Sequence, residues 1–375
     1  MRGQDVFVVA DNVFTPLGKT TADNFENLKQ SRSAVKEHSD QSISPQPFYA
    51  ALFDKHEHII DKIYTKFELL LISSITSVLH DSGIHPEDKK TVLILSSTKG
   101  NISLLETGSN SAELQKRIAL TTSAKLVAGH FGFVNRPIII SNACVSGVMA
   151  IIAGMRLLQT GQYENAVIAG ADVISKFILS GFQSFQALSP QVCKPFDKNR
   201  DGLNLGEGAG TIILSTNKKY AGSIKVLGGG ASNDANHISG PSRTGEELSF
   251  AINQALKDAA ISANALNFIS AHGTATVYND EMEANAITLS ELVSVPLNSL
   301  KANYGHTLGA AGLIESIISV RSLQENVVLP TLGFEANGVT KPVNVIKSAL
   351  NTETKNFLKT ASGFGGCNAA VVFGK

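Results

Sequence analysis

One stretch near the middle of the chain, residues 136–159, constrains the fold most strongly. Its first part, residues 137–141, is apolar and β-branched, which predicts a buried strand. The residues after it have apolar side chains at helical spacing, at Val148, Ile151, Ile152, Met155 and Leu158. Cys144 therefore falls on a strand-to-helix turn. Unpaired N–H groups and the positive end of the helix dipole are expected there to favour the thiolate of Cys144, the nucleophilic form.

Cys144 also has a simpler interpretation. Most single cysteines are small buried residues that pack within an apolar element. The residues around Cys144 are small and leave room for a substrate: Ser141, Ala143, Ser146 and Gly147. This stretch alone leaves both roles open, so the rest of the chain has to distinguish them.

Composition restricts the compartment and the partners. The chain of 375 residues is 43% hydrophobic and 17% charged, as expected for a compact globular protein. Lys plus Arg and Asp plus Glu number 32 each, so no net charge favours nucleic acid or an anionic membrane. The odd set of Cys144, Cys193 and Cys367 argues against disulfides or a metal site and favours a reducing compartment. Because no signal peptide or membrane-spanning run is recognisable, we expect a cytoplasmic protein.

Strand and helix patterns alternate along the chain. Strands are predicted at residues 5–10, 91–97, 137–141, 165–170, 211–215, 223–228, 267–271 and 365–373. Helices are predicted at residues 21–31, 64–82, 111–131, 148–158, 246–259, 280–292 and 309–324. This alternation predicts an α/β fold with a mostly parallel sheet and helices on its faces.

The two halves of the chain share a weak internal repeat. GMRLLQ at 154–159 aligns with SVRSLQ at 319–324 at a constant offset of 165, which places His306 opposite Ser141. The repeat suggests a duplication in which equivalent helices contribute to one shared site. We therefore expect one compact unit with two pseudo-equivalent halves, residues 1–220 and 221–375.

Two histidines and a lysine lie in glycine-rich segments of the second half. His272 follows a predicted strand, at the end where α/β sheets place their sites, and Lys301 and His306 precede a helix rich in Gly and Ala. Taken alone, each residue could have no catalytic role and be simply a half-buried histidine or a solvated lysine. Together with Cys144 they exceed what hydrolysis requires, because a cysteine and one histidine suffice for that reaction. A second histidine suggests a second negative charge, such as that of an enolate.

Five segments, in order, resemble the β-ketoacyl-[acyl-carrier-protein] synthase family, the condensing enzymes of fatty acid and polyketide biosynthesis. They are SNACVSG around Cys144, KPFDKNRDGLNLGEGAG at 194–210, AHGTATVYNDEME at 271–283, SLKANYGHTLGAAGLIE at 299–315 and SGFGGCNAAVVF at 362–373. The similarity is to ketosynthases of the KAS I/II type in the thiolase superfamily. It implies a thiolase-like fold, with two pseudo-duplicated α/β halves in a layered αβαβα unit.

The resemblance also implies a mechanism. Cys144 would take an acyl chain from an acyl carrier protein, with its own N–H and that of Phe364 forming the oxyanion hole. His272 and His306 would hydrogen-bond the thioester carbonyl of a malonyl-carrier and stabilise the enolate that decarboxylation releases. Lys301, paired with Glu315, would maintain the geometry of His272.

Further roles follow from the same resemblance. Thr274 and Thr276 would contact the phosphopantetheine arm, Asp280 and Glu283 would brace their loop, and Phe364 would be the gate between the acyl pocket and the malonyl site. No metal and no cofactor of its own is implied, because the phosphopantetheine belongs to the acyl carrier protein. The resemblance further implies a dimer, either of identical chains or with a related subunit, through the strand before Cys144.

Several positions depart from the family pattern. Ser362 stands where an aromatic residue is usual, Cys367 where threonine is usual, and Ala275 where Gly or Ser is more common. The chain is also shorter than typical members, which leaves the acyl chain length and carrier recognition open.

Two other functions remain as alternatives. A CoA-dependent thiolase-like acyltransferase would need a second cysteine or an asparagine in place of the His272 and His306 pair. A non-catalytic chain-length subunit would lack the nucleophile, whereas this chain has Cys144. The chain could also be the ketosynthase half of a heterodimer with a chain-length-factor-like partner.

Overall fold

The computed structural model describes residues 4–54, 63–235 and 240–375. The strands are β1 Phe7–Phe14, β2 Lys36–His38, β3 Phe48–Ala51, β4 Thr91–Ser96, β5 Ile138–Ile140, β6 Asn165–Asp172, β7 Leu205–Gly206, β8 Gly208–Ser215, β9 Lys225–Asn233, β10 Phe268–Ser270, β11 Pro296–Asn298, β12 Val327–Val328, β13 Asn344–Val345, β14 Leu350–Asn351, β15 Asn356–Gly363 and β16 Cys367–Gly374. The helices are α1 Thr21–Lys29, α2 Lys66–Ser82, α3 Ala112–Ile118, α4 Leu120–Phe131, α5 Ser146–Gln159, α6 Lys176–Ser184, α7 Glu246–Ala259, α8 Val277–Leu289, α9 Lys301–Tyr304 and α10 Ala311–Glu325.

Eleven strands of the described residues form one mixed sheet, in the order β13-β11-β10-β15-β16-β9-β1-β8-β6-β4-β5. The expectation of a mostly parallel sheet is wrong, because the strands in the middle of this order, from β15 to β6, pair antiparallel. Only the strands toward each end, such as β4 with β5 and β10 with β11, pair parallel. Helical crossovers connect just these outer strands, as parallel pairing requires.

The same strand order occurs twice in this sheet. The first half runs β5-β4-β6-β8-β1 and the second runs β11-β10-β15-β16-β9, and β1 meets β9 only through the pair Phe7 and Lys225. The offset of 165 maps α5 onto residues 311–324, which is α10 without its last residue. The duplication read from the sequence is therefore visible in the topology, while the division at residue 220 stays a prediction.

The helices α5 and α10 pack against each other in the central layer, between the two halves of the sheet. Both are buried on nearly all sides, as their almost continuous apolar composition requires. Glycines allow the close approach: a Cβ on Gly147 would lie 2.6 Å from the backbone N of Leu313, and a Cβ on Gly312 equally close to the side chain of Val148. The outer layers consist of α2 over the first half and α7 over the second, which completes the predicted αβαβα order.

Several predicted elements differ in detail. The strand expected at 137–141 is β5, which is only half-buried because it lies at the edge of the sheet. The helix expected at 111–131 is two helices, since Ala119 has extended backbone dihedrals. The patterns gave no prediction of α6 or β15. No helix within residues 4–54, 63–235 and 240–375 is long and apolar enough to cross a membrane.

Candidate active site

Cys144 lies in the tight turn between β5 and α5, as predicted. The turn is closed by Ser146, whose Oγ donates to the carbonyl of Ala143 (2.6 Å) and accepts from the N–H of Asn142 (2.8 Å). Ala143 has a φ of +42°, a conformation that costs free energy for a residue with a side chain. The small residues noted in the sequence thus shape the turn, and Cys144 is 9% exposed at the bottom of a cavity.

The Cys144 thiol is protonated at rest, so the expected preference for thiolate is wrong. Burial raises the pKa of Cys144 to about 12, and the neighbouring Cys367 and Asp172 contribute in the same direction. Lys301 and a hydrogen bond from the backbone N–H of Phe364 lower this pKa but do not offset the burial. The nucleophile must therefore lose its proton as it reacts.

His272 and His306 meet in the same cavity as Cys144, although they come from separate segments of the second half. Their rings lie edge to face with centroids 5.3 Å apart, and each buried Nδ1 atom has no hydrogen-bond partner among the described residues. Burial lowers the pKa of both imidazoles well below the usual value, and the charge of Lys301 adds to the effect. Both rings are neutral at physiological pH and can donate one hydrogen bond each.

Lys301 and Glu315 form a buried ion pair beneath His272. Lys301 begins the short helix α9, and Glu315 lies in the second turn of α10. The Nζ of Lys301 also donates to the carbonyl oxygen of His272 at 3.0 Å. The lysine therefore contacts the backbone of His272 while its charge is balanced from the central helix.

Two buried carboxylates hold the loop that carries His272. Glu283 accepts from the backbone N–H groups of His272 (2.8 Å) and Gly273 (2.7 Å). Asp280 accepts from the N–H groups of Phe196 (2.7 Å) and of Thr274 (3.0 Å), and burial raises its pKa to about 7. These bonds fix the loop backbone from α8.

The side chains of Thr274 and Thr276 line the cavity that leads to Cys144. Their hydroxyl groups lie 2.9 Å apart. The structure therefore brings both predicted substrate-binding residues to the entrance side of the histidines.

Phe364 separates two cavities that meet at Cys144. The first, of about 450 Å³, contains the histidines and threonines, and the second, of about 760 Å³, extends past α6. Phe364 stacks on Phe182 (ring centroids 5.7 Å apart) and meets Phe185 edge to face (5.4 Å). These three aromatic residues and Cys144 line both cavities. The sequence analysis missed Phe182 and Phe185, whose signal was the apolar spacing in the unassigned segment FILSGFQSF.

The glycine turn around Phe364 fits closely against the nucleophile. A Cβ on Gly363 would lie 2.9 Å from the backbone N of Cys144, so only glycine fits there. Ser362, in the place of the usual aromatic residue, is buried and donates to Asn368 at 2.8 Å. Cys367 donates through its thiol to the carbonyl of Phe364 at 3.3 Å, which is the bond that a threonine hydroxyl could make.

Ala275, the third departure from the family pattern, is buried in the loop after His272 with a φ of +64°. This left-handed conformation favours glycine, so the loop is strained at that position.

Asp172, at the end of β6, is a buried group that the sequence analysis did not single out. Its carboxylate accepts from the Oγ of Ser97 (2.7 Å), the N–H of Thr98 and the N–H of Gly309 (2.7 Å). Burial raises its pKa to about 6. Asp172 thus connects the loop after β4 with the turn that leads into α10.

Comparison with known proteins agrees with this geometry. Residues 3–219 match the family model of the β-ketoacyl synthase N-terminal domain, and residues 224–335 match that of the C-terminal domain. A 3-oxoacyl-[acyl-carrier-protein] synthase 2 of Vibrio harveyi is 30% identical over an alignment of 413 positions, gaps included, which covers 100% of this chain and 99% of that protein.

Solved structures give the same result. A structure described as the ketosynthase ApeO in complex with its chain length factor ApeC, from Xenorhabdus doucetiae, has a TM-score of 0.88 at 26% identity, covering 99% of this chain and 98% of that one. The ishigamide ketosynthase/chain length factor has a TM-score of 0.89 at 23% identity, with 100% and 99% coverage, and shows the same fold. The chain belongs to the β-ketoacyl synthase family.

Proposed function

We propose that this protein is a β-ketoacyl-acyl carrier protein synthase that joins an acyl group on Cys144 to a malonyl unit by decarboxylative Claisen condensation. The observation that carries the proposal is the single cavity that holds a cysteine, two neutral histidines and the N–H of Phe364 on the cysteine sulfur. The relatives named 3-oxoacyl-[acyl-carrier-protein] synthase 2 support the same reaction.

The first step is transfer of the acyl group. The sulfur of Cys144 attacks the acyl-carrier thioester, and the departing phosphopantetheine thiolate takes up the proton that Cys144 loses. In this proposal the N–H groups of Cys144 and Phe364 stabilise the developing oxyanion, and the hydrogen bond from the Phe364 N–H to the Cys144 sulfur supports that role. The acyl chain then occupies the cavity beyond Phe364, whose ring acts as the gate.

The second step forms the carbon–carbon bond. The malonyl thioester loses CO₂, and the electron pair of the broken bond moves onto the thioester carbonyl, which His272 and His306 stabilise by hydrogen bonds. The enolate carbon attacks the acyl-cysteine carbonyl, and collapse of the tetrahedral intermediate expels the Cys144 sulfur as a thiolate, which takes up a proton from solvent to restore the resting thiol. The product is a β-ketoacyl-carrier. Each neutral imidazole suits this step because it has one N–H that can donate a hydrogen bond to the developing enolate oxygen.

The residues around the entrance have supporting roles in this proposal. Thr274 and Thr276 contact the phosphopantetheine arm of the partner, while Asp280 and Glu283 hold the loop and Lys301 with Glu315 holds His272. No metal or bound cofactor takes part, since each charge that develops has a donor from the chain itself.

The partners follow from the same chemistry. An acyl carrier protein delivers both thioesters, and a second subunit pairs along β5, whose half-buried isoleucines lie at a sheet edge. That subunit is a second copy of the chain or a chain-length-factor-like relative, such as the chain length factors described with two of the similar structures. We further propose a cytoplasmic location, which the three free cysteines support.

Product analysis tests the proposal. The protein is mixed with an acyl-carrier and a malonyl-carrier, and the carrier is examined by mass spectrometry for a β-ketoacyl product. We expect product from carrier-bound substrates and little from the corresponding CoA thioesters. Equal turnover of the CoA thioesters would favour the thiolase-like alternative, and no product at all, alone or with a related subunit, would contradict the proposal.

A further inference from the structure

Lys359 is a fully buried lysine in the middle of β15 that no step above uses. Its Nζ lies 2.6 Å from Oε2 of Glu315 and donates to the carbonyls of Ser270 (3.1 Å) and Ala271 (3.0 Å). Lysine is almost never fully buried unless it is paired, so these partners are what allow Lys359 to be buried. We infer that Lys359 is a second positioning residue for His272 in the enolate-forming half of the site, an inference that rests on the function proposed above.

Two buried lysines bind the backbone that carries His272. Ser270, Ala271 and His272 are consecutive, and their three carbonyl groups all accept from a buried ammonium: the first two from Lys359 and the third from Lys301. The chain leaves β10 at this point and turns into the cavity. Because buried carbonyls need partners, these bonds fix the direction in which the backbone carries the His272 imidazole.

The residue after Lys359 acts on the same backbone. Thr360 donates through Oγ1 to Glu283 at 2.6 Å and accepts from the N–H of His272 at 3.2 Å. Two successive residues of β15 thus hold this backbone: Lys359 binds the carbonyls of the two residues before His272, and Thr360 binds the N–H of His272 itself. None of these hydrogen bonds of Lys359 and Thr360 involves Cys144.

Lys359 also affects the two histidines through its charge. The charged groups that face Lys359 are Lys301 of α9, Glu315 of α10 and Glu283 of α8. Glu315 contacts both lysines, so Lys359 adds a second ammonium beside the carboxylate that already pairs with Lys301. Lys359 is one of the groups that lower the pKa of both histidines, after burial and Lys301. Its loss should therefore raise the pKa values of both imidazoles, with burial and Lys301 still lowering them.

The variant Lys359→Met tests this inference, with Lys355→Met as the control at an exposed lysine just before β15. Two half-reactions are measured separately over pH 5–9: acyl-enzyme formation on Cys144 and CO₂ release from malonyl-carrier. We expect Lys359→Met to slow CO₂ release about 10- to 100-fold with acyl-enzyme formation within about twofold of wild type. We also expect the acid limb of the CO₂-release profile to move to higher pH.

A second variant separates charge from hydrogen bonding. Lys359→Gln keeps an amide donor for the carbonyls but removes the charge, so it should recover part of the rate and keep the shifted acid limb. It also carries the test if Lys359→Met does not fold.

Several results would overturn the inference. Equal loss of both half-reactions would show that Lys359 has only a structural role. The same holds if both variants fail to fold while Lys355→Met folds. Wild-type behaviour of Lys359→Met would show that Lys359 does not position His272. Absence of CO₂ release and product in the wild-type protein would instead contradict the proposed function itself, and this inference with it.

Discussion

The starts of α5 and α10 are equivalent positions in the two halves, yet they do different chemistry. Gly147 and Gly312 correspond at the offset of 165, and each allows the other helix to approach. Glu315, however, corresponds to Ala150, so the second helix carries a buried carboxylate where the first is apolar. One half presents a thiol beside backbone N–H groups, and the other presents imidazoles above paired charges. In the proposed mechanism the duplicated frame therefore supplies the nucleophile from the first half and the enolate-stabilising histidines from the second, while Phe364 of the second half reaches the Cys144 sulfur.

The largest effect should come from removing the nucleophile. In Cys144→Ala we expect the rate of β-ketoacyl formation to fall about 10⁴-fold or more, because the acyl group has nowhere to reside. CO₂ release from malonyl-carrier should persist within about tenfold, since His272 and His306 are intact. Cys193→Ala, at a buried cysteine that lines neither cavity, is the control. Loss of CO₂ release in Cys144→Ala would show that the two halves do not act separately.

The opposite pattern is expected in the other half. His306→Ala should slow CO₂ release about 10³-fold by removing a hydrogen bond to the developing enolate. Acyl-enzyme formation, followed by intact-protein mass, should change little. The control is His85→Ala, at an exposed histidine. A His306→Ala variant that can no longer form the acyl-enzyme would break the assignment of His306 to the enolate alone.

The charge that distinguishes α10 from α5 can be tested through stability. Glu315→Gln leaves Lys301 and Lys359 buried without a carboxylate, so we expect the free energy of unfolding to fall by about 3–5 kcal/mol. Burial lowers the pKa of Lys359 in the folded state, and Glu315→Gln removes the carboxylate that opposes this effect. The unfolded chain therefore binds more protons, and the variant should regain stability as pH rises from 7 to 10.

The control for Glu315→Gln lies at the end of the same helix. Glu325 pairs with Arg321 at the surface, and Glu325→Gln should cost about 1 kcal/mol or less. Urea unfolding at several pH values compares the two variants. Equal losses would mean that the buried cluster contributes no more than a surface pair.

The smallest expected effect concerns the helix contact itself. Gly147→Ala places a Cβ against the backbone of Leu313, so we expect it to cost about 1–3 kcal/mol of stability. Gly129→Ala in α4, where a Cβ would meet nothing within 4 Å, should be neutral or stabilising. A neutral Gly147→Ala would show that the central helices can separate without strain.

The fold class could be predicted from the sequence because the five family segments occur in order. The ion pair of Lys301 with Glu315 could be predicted because one of these segments, 299–315, contains both residues. The protonated state of Cys144 could not be read from its helix-start position, since burial depends on the surrounding chain. Nor could β15 be recognised, because its central Lys359 and Thr360 break the apolar pattern of a buried strand. Their partners, Glu315 and Glu283, lie in distant segments.

In the proposed reaction, Cys144 holds an acyl group where the two cavities meet and condenses it with an enolate formed beside His272 and His306. The most direct test isolates the acylated protein free of acyl-carrier, adds malonyl-carrier and follows three quantities together: the mass adduct on Cys144, CO₂ and the β-ketoacyl-carrier. We expect the adduct to disappear as CO₂ and β-ketoacyl-carrier appear in equal amounts. An adduct that remains, or that leaves as free acid while CO₂ is released, would contradict condensation on Cys144.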